Sequence, residues 1–174
     1  VTGYDDAWRA ARPYMRARKN DVHIPLSFWY AQRLLEHHPE ADADVVLLAV
    51  MFHDAGWAVI DEERTYAEGF ATGDNEIDLR SDVRILHEEE GARLAGEALR
   101  GLGCAPALVE EVVAIIDGHD SRPEALSRND ELVKDADKLW RYSLTGLSVG
   151  CDWFSMTPGR YAAWLERQVR EALF

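Results

Sequence analysis

Six histidines occur in the chain: His23, His37, His38, His53, His87 and His119. Four of them share a setting. His23 is followed by Leu26, Tyr30 and Leu34, and His53 follows Val46, Ala49 and Val50. His87 leads to Gly91, Leu94 and Ala98, and His119 follows Val112, Ile115 and Ile116. Steps of three and four residues set each imidazole on, or at the end of, an apolar helical face and aim it inward. A single inward histidine is ordinarily satisfied by one hydrogen bond in a core. Four from separate helices would be costly to bury, and a shared metal satisfies them together. Two carboxylates fit the same scheme: Asp54, next to His53 at the end of an apolar helix, and Asp137, between Val133 and Trp140. Mixed imidazole and carboxylate donors suit iron, manganese, zinc or cobalt better than calcium. Six donors are too many for one tetrahedral site with an open position, so two ions bridged by a carboxylate are expected.

Helices are needed to position these groups, and helical periodicity dominates the sequence. It predicts a first helix over Asp5 to Lys19. A second, capped by Asn20 or Asp21, runs to about His37 before Pro39. Ala43 to Asp54 is apolar all round, and a helix buried on every side is preferred there over a buried strand. Residues 55–80 are polar, with a short helix near Glu62 to Tyr66, and read as a lid or binding loop. Further helices are predicted over Ser81 to Arg100, stopped by Gly101 and Gly103, and from Pro106 to about Asp117. Another runs from an Asn129 cap through Tyr142, and the last starts at Thr157 and Pro158. The expectation is an all-α bundle of about six to eight helices in one domain over 1–174. Its motif-bearing core covers about 14–142 and its C-terminal helix about 157–173.

The order His, His-Asp, His, His, Asp resembles the HD-domain superfamily. Met51-Phe52-His53-Asp54-Ala55-Gly56-Trp57 is similar to its namesake motif, and Asp135-Ala136-Asp137-Lys138-Leu139 to its closing motif, which selects Asp137 over Asp135. The resemblance covers roughly 14–142 and extends to small, uncharacterised predicted HD hydrolases. It implies a helical bundle, a bridging Asp54 and metal-dependent phosphohydrolase activity. Departures narrow the branch. A lysine common three residues after the His-Asp pair is replaced by Trp57. His119-Asp120 stands where the cyclic-dinucleotide phosphodiesterases have two histidines, and their Gly-Tyr-Pro signature is absent. The mononuclear nucleotidases usually lack ligands like His87 and His119. The two-metal pattern is shared with a di-iron oxygenase branch, which includes myo-inositol oxygenase and a phosphonate-cleaving enzyme. Tyr14 lies upstream of His23 much as a substrate tyrosine does in the latter, whose companion glutamate has no counterpart at Arg16 or Ala17.

The activity expected is hydrolysis of a nucleotide or small phosphate ester by a metal-activated water. The metal ligands would be His23, His53, Asp54, His87, His119 and Asp137. Two divalent ions roughly 3.5–4 Å apart are implied, iron or manganese ahead of zinc, cobalt, nickel or magnesium. Asp120 could orient a ligand histidine and, with Lys138, is a candidate for protonating the leaving group. Arg16, Arg18, Arg122, Lys134 and Lys138 are candidates for holding a substrate phosphate, Tyr14 for binding substrate, and Asp61, Glu62 or Glu63 for a general acid or base. The alternatives are an oxygenase acting on a small polar or phosphonate substrate, and a metal-binding module without turnover.

Other signals weigh less. Gly146-Leu147-Ser148-Val149-Gly150 matches the serine-hydrolase pattern but follows a helical segment, and no histidine comes after His119. His87-Glu88-Glu89-Glu90-Gly91 has Gly91 where a metalloprotease helix needs its second histidine. Asp74 to Leu79 has calcium-loop acids without the glycine. His37 and His38 read as surface positions, and Cys104 and Cys151 as reduced thiols. The 174 residues are 47% hydrophobic with a formal charge of −13, which disfavours nucleic-acid polymers and anionic membranes but not a small phosphorylated substrate. With no basic start followed by an apolar stretch, the chain reads as cytoplasmic, and a homo-oligomer is compatible with it.

Overall fold

A computed structural model describes residues 3–70 and 81–172, with Phe70 and residues 170–172 described by backbone alone. The fold is all-α, and no strand occurs among the described residues. At its centre is α3 (Ala43–Phe52), in which every side chain from Val45 to Phe52 is buried. Its start is fixed by Asp42, whose Oδ1 accepts from the backbone N–H groups of Asp44 at 2.9 Å and Val45 at 3.3 Å. Around α3 pack α2 (Asn20–Leu35), α5 (Asp82–Gly101), α6 (Pro106–Ile116) and α7 (Arg128–Leu139). This enclosure is what an all-round apolar α3 requires.

The N-terminal helix departs from expectation. Only Asp5–Ala11 is α-helical (α1), and Arg12–Lys19 continues as 3-10 turns broken by extended Ala17 and left-handed Arg18 and Lys19. Pro13 removes one backbone donor at the transition. α2 therefore begins at Asn20, which caps nothing and instead donates from Nδ2 to the Asp54 carbonyl at 3.3 Å. α7 is capped by Ser127 rather than Asn129. Asn129 instead ties α7 to the start of α3 and to Glu111, accepting from Asp42 N–H at 2.8 Å and donating at 2.7 Å.

A turn at Ala55–Val59 leads to α4 (Glu62–Arg64) and a π-type turn over Thr65–Phe70. The rest of the expected lid, with the calcium-like Asp74 to Leu79, lies outside the described residues. Gly56 permits the 55–59 turn to lie against α5, since a Cβ there would come within 2.0 Å of the His87 carbonyl oxygen. α8 (Leu144–Trp153) and α9 (Pro158–Ala172) build a second apolar cluster from Trp140, Trp153, Phe154 and Tyr161, joined by Trp57. The Gly146–Gly150 segment lies wholly inside α8. Gly150 lets the Tyr161 ring approach, and Ser148 is exposed, so no nucleophile elbow exists there. Cys104 and Cys151 are free thiols. Among the described residues no single helix is long and apolar enough to cross a membrane.

Candidate metal centre

Five of the core segments each deliver part of one cluster. His23 comes from α2, His53 and Asp54 from the end of α3, His87 from α5 and Asp137 from α7. His119 follows α6, where Gly118 takes a left-handed φ of 102° that turns the chain back toward the core. All six side chains are buried.

They divide into two groups that share Asp54. In the first, the Nε2 atoms of His23 and His53 are 2.9 Å apart, and Asp137 Oδ1 lies 3.2 and 3.3 Å from them. Asp54 Oδ2 faces this group, 3.4 Å from His23 and 3.8 Å from His53. In the second, the Nε2 atoms of His87 and His119 are 3.4 Å apart and face Asp54 Oδ1 at 3.7 and 3.8 Å. Each triad, His23-His53-Asp54 and Asp54-His87-His119, has the compactness needed to hold a metal ion.

The tautomers agree with that use. His53 Nδ1 donates to the Val50 carbonyl at 2.9 Å and His119 Nδ1 to the Ile116 carbonyl at 3.0 Å, leaving both Nε2 atoms turned toward the cluster. His23 Nδ1 meets Ser27 Oγ at 3.2 Å, and His87 stacks on Trp57 at 4.1 Å. Two imidazole nitrogens 2.9 Å apart need a hydrogen or a metal ion between them. Of the two rings, His53 is the one whose surroundings favour an added proton. Burial would depress its pKa, but Asp54 and Asp137 reverse this and raise it to about 9. Burial holds His23 low, and burial with the neighbouring His119 lowers His87 to about 3. Burial would also raise Asp54 and Asp137. For Asp54 the charges of His53 and Arg18 outweigh it, and for Asp137 Arg141 and the histidines do, so both stay ionised. Ionised carboxylates and mainly neutral imidazoles are the donor set a divalent cation takes.

A layer of further groups fixes these donors. Trp57, where a lysine was the family expectation, donates from Nε1 to Asp54 Oδ1 at 3.0 Å. Arg18 lies between the rings of Trp57 and Trp153, 4.5 and 4.2 Å from their centroids, with NH1 3.5 Å from Asp54 Oδ2. Burial lowers its pKa to about 10, so it remains a cation at neutral pH. Arg141 donates to Asp137 Oδ2 at 3.1 Å. Asp120 Oδ2 is 3.9 Å from His87 Nε2 and accepts from Arg84 at 2.7 Å. Burial would raise Asp120, but Arg84 outweighs it and lowers the pKa to about 2. Glu88 pins the loop that carries His119, accepting from the N–H groups of Asp120 at 2.6 Å and Ser121 at 2.8 Å.

The chain matches the family model for the HD domain over residues 23–141. It belongs to the HD domain family. Members of the HD domain family are in general metal-dependent hydrolases. No curated protein and no solved structure matches the chain.

Not every predicted residue joins this HD domain centre. Lys134 donates to the carbonyls of Gly118, His119 and Arg122 at 3.2, 2.8 and 2.9 Å, so it braces the His119 loop. Arg122 donates to the Asp117 carbonyl at 2.6 Å and to Asp130 at 3.1 Å, closing the end of α6. Their donors are spent on the fold, which leaves little for a substrate. Tyr14 packs against the main apolar core. Among the described residues Lys138 makes no ion pair with the six donors, and its charge acts on Asp135. Asp61 caps α4, and Arg16, Glu62 and Glu63 are exposed. The groups that sequence reasoning missed are Arg84, Glu88, Arg141 and Trp153. Glu88 adjoins His87, and Arg141 follows Asp137 by one helical turn. Those spacings were the available signals.

Proposed function

We propose that the chain is a metal-dependent phosphohydrolase acting on a nucleotide or small phosphate ester. The observation that carries this is the division of Asp54, whose two carboxylate oxygens face separate histidine pairs. His23, His53 and Asp137 with Asp54 Oδ2 would hold one divalent ion, and His87 and His119 with Asp54 Oδ1 the other, iron or manganese being favoured by the donors. Ions held this way acidify a water enough to make it a nucleophile at neutral pH.

The chain's own residues complete the site. Trp57 and Arg18 hold Asp54 with its two oxygens turned to the two histidine pairs, the orientation in which it would bridge the ions. The buried walls exclude bulk water, which strengthens electrostatic contacts with a developing negative charge. Asp120, kept ionised by Arg84, is suited to accept a proton or hydrogen bond rather than to protonate a leaving group. Asp54, Asp120 and Lys138 were the sequence candidates for catalysis, and Asp54 and Asp120 carry this reading.

The test is hydrolysis of a broad phosphoester panel by protein loaded in turn with manganese, iron, cobalt, nickel, zinc and magnesium. Phosphate release that is lost in Asp54→Ala supports the proposal, and no release with any metal contradicts it. Oxygen uptake by the iron-loaded protein with a small polar or phosphonate substrate would replace it by an oxygenase reading. Two tightly bound ions without turnover would leave a metal-binding module.

A further inference from the structure

The formal charge of −13 is unevenly spread along the chain. Residues 7–20 hold five of the 19 lysines and arginines and none of the 32 aspartates and glutamates. Of these five, Arg18 is buried beside Asp54, Lys19 pairs with Asp152 and Arg9 with Asp6. Arg12 and Arg16 stay exposed on the 3-10 segment between α1 and α2. Among the described residues neither guanidinium forms a hydrogen bond or an ion pair.

Both arginines line an open groove of about 1290 Å³ where α1 and the 3-10 segment meet the start of α2. Asp5 and Asp21 line it as well, exposed and equally unpaired among the described residues. Two cations and two carboxylates thus share one groove without meeting one another. Its apolar lining comes from Trp8, Met15 and Pro25. Trp29, 51% exposed, extends that surface, because Asp21, Pro25 and Trp29 follow at four-residue steps on the exposed side of α2. Tryptophan and arginine around an exposed apolar patch are the side chains that anchor protein interfaces.

The charges choose the partner. An acidic polymer would gain Arg12 and Arg16 but meet Asp5 and Asp21. Two copies of a chain at −13 repel each other over most of their surface, and this groove is where the local charge turns positive. A copy related by a twofold axis brings both signs, so each arginine pair can face the other copy's aspartates, twice over.

We propose that this groove is the interface of a symmetric homodimer, in which Arg12 and Arg16 of each copy pair with Asp5 and Asp21 of the other around a centre of Trp8, Pro25 and Trp29. The interface stands independently of the metal centre. Its charges fix partner and register, and burial of the tryptophans supplies the affinity.

Sedimentation of the whole protein over a dilution series is the test. The wild type should form a dimer, and raising salt from about 0.05 M to about 1 M should weaken it about tenfold by screening the exposed charges. Arg12→Glu with Arg16→Glu should weaken it on the order of 100-fold, and so should Asp5→Arg with Asp21→Arg, since each opposes like charges. An equimolar mixture of these two variants should recover the dimer, an acidic groove then meeting a basic one. Hydroxyl-radical labelling of the wild type should protect Trp29 in the dimer, which keeps the surface testable if a variant does not fold. A wild type that stays monomeric would overturn the proposal, and binding of labelled polyglutamate by that monomer would give the groove to an acidic partner instead. A dimer that survives both double substitutions, a mixture that stays monomeric, or equal labelling of Trp29 in monomer and dimer would each overturn it too.

Discussion

The two halves of the centre are built differently. The His23 side brings two imidazoles, Asp137 and one oxygen of Asp54 together at 2.9 to 3.8 Å, with Arg18 and Arg141 behind the carboxylates. The His87 side has two imidazoles and the other Asp54 oxygen at 3.4 to 3.8 Å, and Asp120 stands 3.9 Å from His87 in the grip of Arg84. More donors at shorter range predict that the first side binds its ion more tightly. The second has fewer donors, as an ion that keeps an open coordination position requires.

Removing the shared element breaks both halves together. Asp54→Ala should bind neither ion tightly and show no activity above background, measured by metal analysis and phosphate release. Retention of two ions would show that Asp54 does not bridge. Next in size is the asymmetry itself. His87→Ala should keep the first ion and lower the metal content from two to one. His53→Ala should lose the tighter ion and weaken the other, because both ions would rely on Asp54. Equal affinities for the two ions in the wild type would erase the distinction.

Smaller effects sharpen it. Trp57→Phe keeps the stack on His87 but deletes the hydrogen bond to Asp54 Oδ1. The expected loss is about 10-fold to 100-fold in metal affinity, confined to the His87 side. An equal loss on both sides would mean that Trp57 serves the fold rather than that site. The smallest effect is on metal-free protein. His53 has its folded pKa raised above its unfolded value of 6.5, to about 9, so its stabilising contribution is complete below 6.5 and fades as pH rises through about 9. His87 acts in the opposite sense: its folded pKa of about 3 costs stability as pH falls below 6.5. Melting temperature in chelator should therefore be highest near neutral pH and fall on both sides. A rise in stability toward pH 9 would contradict the proton placed on His53.

Four of the six converging side chains were legible because each imidazole sits at helical steps from apolar neighbours, Asp54 stands beside one of them, and the likeness to the HD closing motif selected Asp137 over Asp135. The apolar run of α3 suited a buried helix or a buried strand, and its helical neighbourhood favoured the helix. The sequence did not expose what holds the six donors. The break at Ala17 to Lys19 depends on a tertiary lock from Trp153 and Asp152, more than a hundred residues away, while local periodicity favoured a continuous helix. Asn129 had the chemistry of a cap, yet tertiary contacts with Asp42 and Glu111 claimed it and left the cap to Ser127. Lys134 and Arg122 carried the right charge for a phosphate, but charge does not tell which carbonyls lie within reach. Arg141 was within reach of sequence reasoning, one helical turn after Asp137, whereas Arg84 meets Asp120 only through the packing of α5 against the segment after α6.

The central claim is that one carboxylate joins two metal sites. Anomalous diffraction from crystals of manganese-loaded protein tests it most directly. The account predicts two manganese peaks, one on each side of Asp54, the first against His23, His53 and Asp137 and the second against His87 and His119. A lone peak, or manganese bound away from Asp54, would contradict it.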